Sequence, residues 1–396
     1  MKRATIDRRT SLLIVGILLI STCLRAPITS IAPLLKLISD NFGLSATVGG
    51  LLTTLPLLAF GAVSPFAVIL ARAYGLERML FCALLLIIAG VAVRTVGPVS
   101  ALFLGTVVIG SGIAIGNVLL PSLLKRDFPD SVATFTAAYS LTMGIAAAIA
   151  SALATPLAQL SDSTWRLATG MVVLLPVLSA VVWLPQLTNR SAPTTGTAVL
   201  PHRGRVWSSM LAWQVTLFLG LNSFVYYSGI SWLPTILRDT GYSIAEAGSL
   251  HGVLQLAGAS ASVIVFPMIR WMKDQRLAAL ASSAVALGGL LGLLLAPQWA
   301  ATWMILFGLG TGAGIIVGLS LVSLRASNVQ QAAELSGMAQ SVGYFLAAIG
   351  PLLTGSLHDI FGKWDISLML CALLCVAMAL FGLLAGRAMH IPEVSR

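Results

Sequence analysis

Arg25 is the residue best placed to do chemistry. It lies in LISTCLRAPITSIAPLL, residues 19–35. The neighbouring residues are apolar enough for a bilayer. A helix rising about 1.5 Å per residue carries Arg25 about 21 Å along the segment that starts at Ser11. That is near the middle of a hydrocarbon core about 30 Å thick, too deep to snorkel to either surface. A guanidinium there costs about 2.5–3.5 kcal/mol on insertion scales, so it faces a cavity or a partner. Its planar fork of donors suits an anion or an electron-rich polar group. The structural alternative is an Arg held by carbonyls freed near Pro27 and Pro33, or by Asn and Gln side chains.

Other polar residues fall at helical spacing in apolar surroundings. Asn222 and Tyr226 are four apart in WQVTLFLGLNSFVYYSGISWLP and share a face. Matching Pro33 to Pro234 puts Tyr226 at the register of Arg25. An amide and a phenol there hold a small heterocycle by hydrogen bonding and stacking, or else join helix to helix. His251 and Gln255 are also four apart. His251 is the one central side chain that titrates near neutrality, which makes it the proton-coupling candidate; its alternative is a hydrogen-bonded packing residue. Asn117 and Gln340 complete the binding candidates. Every Asp and Glu, Glu77 and Glu246 included, falls in a loop or near a helix end. Trp213 and Trp232 fall toward helix ends, where indoles anchor at the interface.

The elements that hold these residues are read from composition. Of 396 residues, 58% are hydrophobic and 9% charged, against about 25% charged in soluble domains. Apolar runs long enough to cross a bilayer recur throughout. They predict twelve helices, at 11–37, 46–70, 78–97, 100–123, 132–158, 166–185, 210–236, 247–270, 277–296, 300–322, 333–357 and 366–387. The basic start followed by an apolar run imitates a signal peptide, but the run continues past Arg25 and eleven like it follow. With the N-terminus cytoplasmic, seventeen Lys and Arg fall on the cytoplasmic side. Five fall opposite: Lys36, Arg94, Arg166, Arg238 and Lys363. Both termini and the linker are therefore expected inside. The net charge of +10 follows from that bias, and nucleic-acid binding is not expected.

Cys23, Cys82, Cys371 and Cys375 all lie in apolar runs with neither redox nor zinc spacing. The glycine runs GSGIAIG (110–116) and GLGTGAGIIVG (308–318) lack the strand and the Lys-Ser/Thr of a phosphate loop. They are expected to let helices approach closely. GPLLTG (350–355) resembles an antiporter signature but falls in the eleventh helix, where it says nothing about direction.

The two halves repeat. LSATVGGLL matches YSIAEAGSL at an offset of 198, as do Arg72 and Arg78 with Arg270 and Arg276; residues 110–126 match 310–326 at 200, and Trp165 matches Trp364 at 199. The expectation is an all-α membrane protein of two six-helix pseudo-symmetric halves, 1–186 and 208–396, with a cytoplasmic linker at 187–207. Such parallel repeats are a transporter layout with a midplane site.

This layout resembles the major facilitator superfamily. The loop signature G-x-x-x-D-R-x-G-R-R is degenerate here: VILARAYGLER keeps Gly75 and Arg78 but has Arg72 in place of the Asp. LLTTLPLLAF, GNVLLPSLLKRDFP, AYSLTMG, AGSLHGVLQLA and LSGMAQSVGYFLAA are similar to the cyanate/nitroimidazole permease family. Within it the chain resembles the 2-nitroimidazole transporter group. The resemblance implies a secondary active transporter, not an enzyme, in the bacterial inner membrane. Its expected cargo is a small polar nitrogen-containing compound, exported with protons by alternating access. The alternative is an uncoupled uniporter or exchanger of a small anion such as cyanate. Expected partners are the bilayer and the solute, with no cofactor or metal and the chain acting as a monomer.

Overall fold

Hydrocarbon offers no water to an unpaired backbone group, so an apolar chain of this kind satisfies its own amides by coiling. The computed structural model describes residues 8–160, 165–188 and 206–392, and no strand occurs among them. The first span is in three pieces: α1 (Arg8–Cys23), α2 (Ala26–Thr29) and α3 (Leu35–Phe42). Then come α4 (Ala46–Tyr74), α5 (Leu76–Val96), α6 (Val99–Asp127) and α7 (Val132–Gln159). The sixth span is α8 (Trp165–Met171) followed by α9 (Leu174–Trp183). The remainder are α10 (Met210–Asp239), α11 (Ile244–Trp271), α12 (Arg276–Leu295), α13 (Ala300–Arg325), α14 (Val329–Phe361) and α15 (Asp365–Ala385). Among the described residues, ten spans are long and apolar enough to cross a membrane. The other two, α10 and α14, have 30 and 33 residues and carry more polar side chains. The chain is an all-α, multi-pass membrane protein. The linker expected at 187–207 lies outside the described residues over 189–205.

Packing gathers Met1–Ile31 with Ala59–Thr194 in one unit, and Ala32–Leu58 with Thr195–Arg396 in another. In the first, α5 and α6 meet through small residues. A Cβ added at Gly90 would stand 2.7 Å from the Ile109 nitrogen, and one at Gly112 2.6 Å from the Ala83 carbonyl. Gly16 lies under the Trp183 ring, whose Nε1 donates to the Glu77 carbonyl at 3.0 Å. Gly75 takes a φ of 92° between α4 and α5, a conformation that other residues adopt only with strain. The second unit has a core of Val215, Phe218, Leu321, Met338 and Met378. There α13 approaches α11 at Gly308 and Gly312 and α12 at Gly310. Both glycine runs thus serve close helix packing.

Three details of the second unit bear on the sequence reading. Trp232 is not an interface anchor: it is 4% exposed and donates to the Pro351 carbonyl at 2.8 Å. Its ring fits against Gly49, Gly50 and Gly355, so part of GPLLTG is a seat for an indole. Lys36 pairs with Asp239 at 2.8 Å, and Trp364 donates to the same carboxylate at 2.9 Å. Glu246 is exposed and closes a capping box with Ser243 at the start of α11, as its place at a helix end suggested.

Asp359 caps the start of α4. One carboxylate oxygen accepts from the Ala46 amide at 2.9 Å, the other from the Thr47 amide at 2.7 Å and the Thr47 hydroxyl at 2.5 Å. Partial burial opposes the charge, but the Thr47 and Ala46 donors outweigh it and hold the carboxyl below its usual range. A depressed native value means the bonds stabilise the fold above the unfolded carboxyl's pKa and are lost as pH falls through the lower native value. Asp359→Ala is expected to cost about 0.5–1 kcal/mol at pH 7, the low end for a cap because the site is exposed. Thermal unfolding in detergent measures it: the gap to wild type should close on acidification below about pH 4. An equal Tm at pH 7 would remove the cap from the account.

Candidate functional site

In the first unit the site is built on the break in the first span. Leu24 and Arg25 leave the helix; Arg25 has φ −135° and ψ −41° and caps α2. Its carbonyl accepts from the Ile28 and Thr29 amides at 3.0 and 3.1 Å. Pro27 falls in the first turn of α2, where a missing N–H costs nothing. Arg25 is half-buried. The short α2 is fixed on two sides: Ala26 packs with Ala146 and Val172, and the Thr29 hydroxyl donates to the Ala147 carbonyl at 3.3 Å. Asn117 is exposed on α6, next to Gly116, which abuts Leu24.

Arg94 corrects the sequence reading. It was counted with the outer-side charges, which left Arg25 alone as a cation inside a span. The structure encloses Arg94 at 1% exposure in α5. Its Nη1 donates to the Pro27 carbonyl at 2.8 Å and its Nη2 to the Thr169 carbonyl at 3.5 Å. The carbonyl freed near Pro27 is therefore held by Arg94. A signal was present: Leu80, Leu84, Ile87, Val91 and Arg94 follow one helical stripe, all buried. It is hidden in the sequence because α5 is apolar on nearly every face.

In the second unit three candidates come together. Tyr226 is 4% exposed, Gln255 2% and His251 0%. The Tyr226 hydroxyl donates to Gln255 Oε1 at 3.1 Å, and Gln255 Nε2 lies 3.4 Å from His251 Nε2. The His251 ring also hydrogen-bonds the Ile230 backbone. The directions follow from the donors. Gln255 spends its oxygen on Tyr226, so its NH₂ faces the imidazole; His251 Nε2 then accepts, and the ring proton sits on Nδ1. The chain is complete with a neutral ring. Tyr227 packs edge-on to Tyr226, with ring centroids 5.1 Å apart.

Asn222 does not join them. Its Nδ2 donates to the Thr311 carbonyl at 3.1 Å and its Oδ1 lies against Gly314, fully buried. That is the helix-to-helix arrangement. Gln340 is exposed and donates to Ser336 at 2.8 Å. A cavity of about 470 Å³ in this unit is lined by Asp239, His358, Trp364 and neighbours; none of the seven candidates lines it. No group of His, Cys, Asp and Glu suited to a metal occurs among the described residues.

Two basic residues near helix ends were also missed. Arg126 Nη1 pairs with buried Glu77 at 2.9 Å, and its Nε with Asp127 at 2.6 Å. Arg325 donates to the Ala385 carbonyl at 2.8 Å and to Gln275. In the matched segments 110–126 and 310–326, Arg325 stands at the position of Lys125, beside Arg126. This repeated basic position was the available signal.

Comparison with known proteins agrees with this architecture. Residues 17–351 match the Major Facilitator Superfamily. The chain is 52% identical over 379 residues to the 2-nitroimidazole transporter of Escherichia coli (strain K12), covering 96% of each. It is 28% identical over 350 residues to the cyanate transport protein CynX of the same organism, covering 88% of this chain and 90% of that one. A solved bacterial homolog of the human lysosomal transporter Spinster, inward-facing and occupied, superposes with a TM-score of 0.78 at 18% identity over 98% of each chain. The chain is therefore a membrane transporter of the Major Facilitator Superfamily, in the branch that holds the E. coli 2-nitroimidazole transporter.

Proposed function

We propose that this transporter exports a small polar nitrogen-containing solute of the 2-nitroimidazole kind from the bacterial cytoplasm, by proton-coupled alternating access. The observation that carries the reading is Arg25 at the break in the first span. Broken helices in transporters mark places where backbone and side chains turn to a solute. A guanidinium fork suits the paired oxygens of a nitro group, and the relative of 52% identity is a 2-nitroimidazole transporter. Tyr226 and Gln255 supply a phenol and an amide for ring nitrogens, with Asn117 and Gln340 as further contacts and Asn222 as a support through α13. The repeats 1–186 and 208–396, joined by 187–207, are the parts that alternate, both termini lie in the cytoplasm, and a monomer suffices.

The second reading is an uncoupled uniporter or exchanger of a small anion such as cyanate. One observation favours it: the fully buried His251 ring already hydrogen-bonds Gln255 and the Ile230 backbone.

Flux of 2-nitroimidazole in proteoliposomes, with and without an imposed pH gradient, separates the readings. Wild type should respond to the gradient. Arg25→Gln should lose flux on the order of 10- to 100-fold, the equivalent of about 1.5–3 kcal/mol for charge-assisted hydrogen bonds. Unchanged flux in a folded Arg25→Gln protein would make Arg25 structural. Gradient-independent flux in wild type would select the uncoupled reading, and no flux at all would reject the solute and direct the assay to cyanate.

His251→Phe should keep flux down the solute's own gradient and lose the response to pH. A retained response in that variant would take proton coupling away from His251.

A further inference from the structure

We infer that Arg94 is a positioning residue for Arg25, with one guanidinium fixing two irregular helices to each other and setting the backbone that carries Arg25. The first irregularity follows α2. The Ile31 amide turns to the Ile28 carbonyl at 3.2 Å rather than to Pro27, one turn back. That frees the Pro27 carbonyl. It accepts from Arg94 at 2.8 Å, with the Ser30 hydroxyl a longer partner at 3.4 Å. The second lies between α8 and α9. The Val173 amide turns to the Gly170 carbonyl at 3.0 Å, which leaves the Thr169 carbonyl without its usual donor. Arg94 Nη2 reaches it at 3.5 Å. The two irregular segments also touch directly, Ala26 against Val172.

The choice of Arg follows from this geometry. Two carbonyls on different helices need two donors with a fixed angle between them, which a guanidinium has and an ammonium lacks. Thr169 lies toward the carbonyl end of α8, where the partial charge is negative. No carboxylate is needed to hold the cation there. Pro27 is two residues from Arg25, within the single turn that Arg25 caps. Loosening Arg94 therefore loosens the base of the Arg25 side chain.

The inference rests on the reading of Arg25 as a solute-binding group, and two measurements keep them apart. The first needs no solute: hydrogen–deuterium exchange of the 28–31 and 173–175 amides in the full-length protein. Arg94→Gln should speed exchange in both segments by about tenfold or more, as loss of a shared local tether does, while Arg25→Gln leaves 173–175 unchanged. Unaltered protection in Arg94→Gln overturns the inference. The second is a double-mutant cycle on the KM for 2-nitroimidazole efflux in proteoliposomes. Arg94→Gln should raise KM about tenfold in the wild-type background and less than about twofold in the Arg25→Gln background, because coupled sites are not additive. Equal effects in the two backgrounds make Arg94 merely structural and overturn the inference. An Arg25→Gln protein with wild-type KM beside an accelerated Arg94→Gln exchange places the fault in the reading of Arg25, and with it the positioning role falls. Should Arg94→Gln fail to fold, Arg94→Lys takes the same tests: donors confined to one nitrogen should leave one segment protected and the other not, and protection of both overturns the inference.

Discussion

A carbonyl oxygen in hydrocarbon has no water to turn to, and that constraint governs this protein more than any single contact. Unbroken helices meet it without help. Where a helix breaks, an oxygen is left over and something must donate to it. The structure breaks helices at 24–25, 30–31 and 172–173. The Pro27 and Thr169 carbonyls there receive a guanidinium from a neighbouring helix. Irregular backbone, the buried cation Arg94 and the candidate residue Arg25 therefore occur together. A break places Arg25 off the helical course, and a second arginine makes the break tolerable.

The same constraint explains the glycines. Without a hydrophobic drive between helices in lipid, close approach supplies the attraction, and small residues allow it. Gly90 and Gly112 bring α6 onto α5; Gly308, Gly310 and Gly312 bring α13 onto its two neighbours. Where a side chain larger than a methyl group enters such a seam, the seam is shaped for it. Asn222 occupies the space beside Gly314 and gives its amide to the Thr311 carbonyl. Trp232 occupies the space beside Gly50 and Gly355.

This separates what the sequence makes legible from what it does not. Span layout, repeat and family resemblance depend on composition and order, which are local. Arg25 was legible because a charge amid sixteen apolar or small neighbours needs no neighbour in space to be conspicuous. Arg94 was not, because it lies within a turn of the end of α5, where a charge normally means water. Only the stripe from Leu80 to Arg94 betrays its direction, and a helix apolar on every face hides its stripes. Tyr226 and Asn222 share a helix and a spacing of four, yet one completes a hydrogen-bonded chain and the other fills a glycine seam. The difference lies in α11 and α13, whose facing residues no single-helix spacing reveals. Trp232 is opaque for the same reason as Arg94: in sequence, nearness to a helix end looks the same whether the side chain meets the interface or a neighbouring helix.

The hydrogen-bonded chain in the second unit also limits how a proton could drive transport. The His251 ring meets Gln255 through Nε2 and also hydrogen-bonds the Ile230 backbone. A proton added at Nε2 would confront the Gln255 NH₂, two donors face to face. Relief requires the amide to turn over, so that its NH₂ donates to the Tyr226 oxygen and the bond at 3.1 Å reverses, leaving the phenol proton free. The phenol must then find another acceptor. On the proposed reading, solute supplies that acceptor, so proton uptake at His251 and solute contact at Tyr226 are linked through one amide. Such linkage must act equally in both directions, as any coupling free energy does. A proton on His251 would tighten solute binding at Tyr226 by the same factor that bound solute eases protonation. The sign matters for the cycle: coupling of this kind binds proton and solute together, which suits movement in the same direction. Export against an inward proton gradient needs the opposite sign, with the two competing. For that, the solute must bind the chain as it now stands, accepting from a Tyr226 hydroxyl that also serves Gln255 or displacing Gln255 from it. On the proposed reading, the orientation of a single glutamine amide sets whether proton and solute bind together or compete.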